Sequence, residues 1–78
     1  MRVQTGVRMD AGLLKVLKGL AEYLDLSLGD LLEGIVLHAF EGRDPFAAPT
    51  HDVIERLKAV YAVTYTAADS HRLQREES

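Results

Sequence analysis

The sequence predicts a mainly α-helical fold with one N-terminal strand. Three observations carry this: residues 3–9 alternate with period two, two later segments repeat their apolar residues at helical spacing behind a cap residue, and a proline-bearing stretch sets off a third.

In VQTGVRM, Val3, Thr5, Val7 and Met9 fall on one side, while Arg2, Gln4, Gly6 and Arg8 fall on the other, the pattern of a half-buried strand. Asp10 stands where an N-cap belongs. Leu13, Leu14, Leu17, Leu20, Ala21 and Leu24 follow at helical spacing, so the first helix runs from about residue 11 to about 24. Ser27 with Asp30 three residues on is a variant of the capping box, and it opens a second stripe of Leu31, Leu32, Ile35, Val36, Ala39 and Phe40. Gly42 is a natural stop. GRDPFAAPT holds both prolines and reads as a linker over 42–50. Thr50 can cap a third helix with Val53, Ile54, Leu57, Val60 and Tyr61 on its apolar face. Beyond it two readings stay open: VTYT at 63–66 has strand-like composition, while Thr66 with Asp69 can cap a short last helix.

A chain of 78 residues buries only roughly 60–65% of its unfolded surface, and such chains commonly lean on a staple or a partner. Cysteine is absent, which excludes disulfides and Cys-type zinc sites and suits a reducing compartment. No apolar run reaches a membrane span, and residues 1–20 lack a signal-peptide pattern, so the expectation is a cytoplasmic protein that oligomerises, with no membrane contact. The net charge of -3 argues against polyanions in general, but its distribution is uneven: residues 1–20 carry +3, residues 21–34 carry -4, and residues 35–78 carry -2. A polyanion would therefore be met at the N-terminal quarter.

A lone strand leaves its backbone N–H and C=O groups unpaired on both edges. A second copy of residues 3–9, related by a two-fold axis, would satisfy both strands through an intermolecular two-stranded antiparallel ribbon. Val3, Thr5, Val7 and Met9 would then face the helices, and Arg2, Gln4, Gly6 and Arg8 would face outward. Such a ribbon fits the major groove, where Arg reads guanine and Gln reads adenine. Lys15 and Lys18 lie on the polar side of the first helix, as a solvated face or as contacts to a DNA backbone.

The strand VQTGVRM, the cap Asp10, the run LLKVLKGLA from Leu13 and the pattern GDLLEGIVLHAF from Gly29 to Phe40 together resemble the ribbon-helix-helix family of dimeric DNA-binding proteins, the Arc, MetJ and CopG type, over about residues 2–41. The resemblance implies a homodimeric core over 1–41, a linker over 42–50 and a C-terminal helical extension over 51–78. It makes Gln4, Gly6 and Arg8 the base-reading positions, although Gly6 offers no side chain. Ser27, Leu28 and Gly29 become a phosphate clamp at a helix N-terminus, and Arg2 adds a phosphate or base contact. Leu28 and Leu37 stand where polar residues are expected, which calls for a cover, and the segment from 51 is the candidate.

Other residues read as structural. His38, His51 and His71 lack metal-site spacing, and adjacent Asp69, Ser70 and His71 cannot converge as a triad, so no catalytic group, metal or cofactor is expected. Tyr61, Tyr65, Phe46 and Phe40 are expected to pack the third helix on the first two. Glu22, Asp25, Asp30 and Glu33 make an acidic patch. The expected function is a sequence-specific transcriptional repressor that binds double-stranded DNA as a homodimer. The rival is a dimeric interaction module or antitoxin whose residues 43–78 bind a partner protein. An enzyme is not expected.

Overall fold

Helices form where the caps place them. In a computed structural model, which describes residues 1–70, α1 spans Ala11–Leu24, α2 spans Leu28–Phe40, α3 spans Ala48–Val60, and a single 3₁₀ turn covers Ala67–Asp69. Asp10 caps α1, its carboxylate accepting from the Leu13 N–H at 3.0 Å. Ser27 caps α2, its hydroxyl accepting from the Asp30 N–H at 3.1 Å. The α1–α2 connection is short because Asp25 takes a left-handed backbone (φ 60°), which lets the Leu26 N–H close on the Ala21 carbonyl at 2.9 Å. Gly42 (φ +68°) ends the second helical segment as its sequence position predicts.

The third helix begins earlier than its sequence suggests. Ala47 is its N-cap without any side-chain bond, and Pro49 sits in the first turn, where a missing N–H costs nothing. Thr50 is therefore inside the helix and caps nothing. After α3 the chain reverses at Ala62 (φ 55°), and Val63 is buried against the first turn of α1 beside Gly12, where an added Cβ would stand 3.1 Å from a Val63 methyl. Of the two readings of 63–70 the capped turn is the one formed: Thr66 and Asp69 make a reciprocal capping box, and 63–66 is not a strand.

The core lies where α1 meets its two partners. Leu20, Ala21 and Leu31 are its buried centre, with Leu17, Ile35, Phe46, Ile54 and Leu57 packed around them. Val16, absent from the apolar stripe read in the sequence, is buried as well, while Leu13 within that stripe stays at the surface. Gly19 allows α3 to approach closely, since a Cβ there would meet a Leu57 methyl at 3.0 Å.

The N-terminal strand and the intermolecular ribbon are corrected by the fold. Among the described residues there is no β-strand and no sheet: the chain is all-helical, and residues 1–10 run outside any regular element. A strand exists only through a ladder of backbone hydrogen bonds, and no described backbone bond engages Val3, Thr5, Val7 or Met9. Val3 and Val7 are about three-quarters exposed, and only Met9 is partly covered. Period-two alternation supplied no pairing partner, and residues 1–8 show no buried side. Among the described residues, no helix is long and apolar enough to cross a membrane.

Candidate interaction surfaces

Residues 1–8 are exposed throughout and carry two arginines and no acid. Gln4, Gly6 and Arg8 all stand in solvent, and Arg8 takes part in no ion pair among the described residues. Arg2 is engaged elsewhere. Its guanidinium reaches α2 and pairs with Glu33 at 2.9 Å and Asp30 at 3.2 Å, an exposed arrangement in which one positive charge meets two of the four acids of the patch. This pair was not visible in the sequence, because the partners lie about thirty positions apart and the segment that brings them together has no regular structure.

Asp10 anchors the base of this segment. Besides capping α1, its carboxylate accepts a hydrogen bond from the Tyr65 hydroxyl, which ties residues 63–66 across the start of α1. The Tyr65 hydroxyl, followed by the Leu13 N–H, holds the Asp10 carboxyl below the usual carboxylate value, and the same bond raises the Tyr65 phenol. Tyr65 thus serves as a strap and not as helix packing. Tyr61 forms a rim on α1, with the Lys15 ammonium 5.8 Å from its ring centre. Lys15 accordingly lies along α1 toward the C-terminal segment, away from Ser27, Leu28 and Gly29 at the start of α2.

At that helix start Ser27 and Gly29 are exposed, Leu28 is half-buried, and space around Gly29 is open. Ser27 performs its capping role, but the side chain nearest in sequence that bears charge is Asp30. The basic side chain brought to this turn is Arg2, through its pair with Asp30 at 3.2 Å.

Between the base of the N-terminal segment, α1, α3 and residues 63–70 opens a groove of about 750 Å³. Its floor is apolar, made by Leu13, Leu17, Ile35 and Ile54, and its rim carries Arg8 and Lys58. The acids on the rim are already satisfied, Asp10 as described and Asp69 by the Thr66 N–H at 2.8 Å.

The outer side of α2 is the largest departure from expectation. Phe40 is 82% exposed and Leu37 59%, so neither packs α3, and residues 51–70 do not cover Leu37. Val36, Leu26, Val60 and Tyr61 are exposed too. Phe46 is the aromatic that does join α3 to the core, with its ring edge-on to His51 at 5.9 Å. His51 in turn meets Asp44 at 2.6 Å, closing the α2–α3 connection, and the Phe46 N–H together with His51 keeps the Asp44 carboxyl low. His71 and the rest of 71–78 lie outside the described residues.

Comparison with protein-family models, with curated proteins and with solved structures finds no match for this chain.

Proposed function

We propose that the chain is a DNA-binding regulatory protein that works as a homodimer, contacting double-stranded DNA through its N-terminal segment 1–9 and repressing by occlusion of a promoter. The observation that carries this reading is the exposed, acid-free segment with Gln4 and Arg8 in solvent, in a chain whose net charge is otherwise negative. Arg and Gln are the side chains suited to bidentate recognition of guanine and adenine. The ion pairs of Arg2 are exposed and worth little, so a phosphate can displace Asp30 and Glu33 and release Arg2 to the DNA backbone.

Selection from a random DNA pool at stated salt should enrich a site. On that site Arg8→Ala should weaken binding by about 1–3 kcal/mol in fluorescence anisotropy. An unenriched pool, or unchanged affinity of the variant, refutes the reading. A second reading, an interaction module or antitoxin whose residues 43–78 hold a partner protein, is favoured by the exposed Val60 and Tyr61 at the end of α3. Loss of a co-purifying protein in Val60→Asp, with DNA binding intact, would place both functions in one chain.

A further inference from the structure

The groove between residues 8–10, α1, α3 and residues 63–70 runs from the surface to the buried centre of the fold, since Val16 and Leu20 line it together with Leu17, Ile35 and Ile54. Its volume of about 750 Å³ falls within the roughly 300–1,000 Å³ of small-molecule pockets, which join apolar walls to a few polar groups that orient the guest. An apolar guest there would bury surface of the same residues that make the core. The rim decides the charge of that guest. Its acids, Asp10 and Asp69, already accept hydrogen bonds from Leu13, Tyr65 and Thr66. Its cations are less committed. Arg8 joins no ion pair among the described residues. Lys58 meets Glu55 at 3.8 Å within its own helix, and with the Glu55 side chain 73% exposed that contact is worth little.

We propose that this groove binds a small amphipathic carboxylate, a guest with an acyl chain of medium length and one anionic head. The chain lies along Leu13, Leu17, Ile35 and Ile54, and the head stays at the rim, where Arg8 and Lys58 supply charge-assisted donors. Such a site neither needs a second copy of the chain nor depends on whether residues 1–9 meet DNA.

The test is isothermal titration calorimetry of the full chain, without DNA, against decanoate, decanol and decylamine. Decanoate should bind saturably at a single site per chain, and at least about tenfold more tightly than either congener. Lys58→Met, which keeps an apolar stem, and Arg8→Ala should each cut that preference by at least about threefold. Leu13→Glu sets a like charge on the apolar floor at a position 37% exposed, in the first turn of α1, where a carboxylate suits the helix. It should abolish decanoate binding with an unchanged far-UV circular dichroism spectrum. Absence of saturable decanoate binding would overturn the proposal, and it is also the result expected if residues 71–78 or a second copy fills the groove. Equal affinity for the three congeners, a preference undiminished in either cation variant, or full binding by Leu13→Glu would overturn it as well.

Discussion

Asp10 and Tyr65 show how one side-chain pair sets a pH window. Asp10 is held below its ordinary value, so its contribution is complete above the unfolded carboxylate value and is lost as pH falls through the lower folded one. Tyr65 is raised, so its contribution is complete below the unfolded phenol value and is lost as pH climbs through the higher folded one. Urea unfolding of Tyr65→Phe should therefore show lower stability than wild type across neutral pH, with the difference shrinking at both extremes. A constant difference at all pH values would mean that the hydroxyl contributes through packing alone. The sequence could not announce this pair: 55 positions separate its members, and a tyrosine in an apolar stretch reads first as filler.

At the scale of elements, two glycines within helices predict opposite outcomes. Gly34 in α2 has open space where a Cβ would go, so Gly34→Ala should stabilise by about 1 kcal/mol through helix propensity alone. Gly19 in α1 faces Leu57 across the α1–α3 contact, so Gly19→Ile should cost about 1–3 kcal/mol by overpacking. Thermal melts of the two variants side by side check both signs. The first two helices were legible because their signals are local: Asp10, Ser27 and Gly42 mark boundaries within a few residues of the apolar stripes they bound. The start of α3 was misplaced because Thr50 looks like a cap, whereas Pro49 tolerates, and so extends, a first turn beginning at Ala48. The strand failed for a different reason. Alternation is a property of one segment, but pairing belongs to two, and no described backbone hydrogen bond joins another segment to residues 3–9.

For the molecule as a whole, the small core governs everything else. Only Val16, Leu20, Ala21, Leu31 and Val63 are buried among the described residues, so each carries a large share of a narrow stability margin. Leu20 is 2% exposed at the centre, and Leu20→Ala should cost about 2–5 kcal/mol, enough to abolish a cooperative thermal transition in a domain of this size. Retention of a sharp transition near the wild-type midpoint would show that stability resides elsewhere. The expectation of a partner came from chain length, and the exposed apolar side of α2 was only partly anticipated. Leu37 was recognised as misplaced for a solvent-facing residue, while Phe40 and Val36 were assigned inward because two apolar rows on one helix blur into a single stripe.

The carboxylate of Asp10 grips the head of α1 and the returning chain beyond α3 together. Whatever pulls on residues 1–9 therefore tugs on a knot that also fastens residues 63–66, and slackening the knot from either end loosens the other.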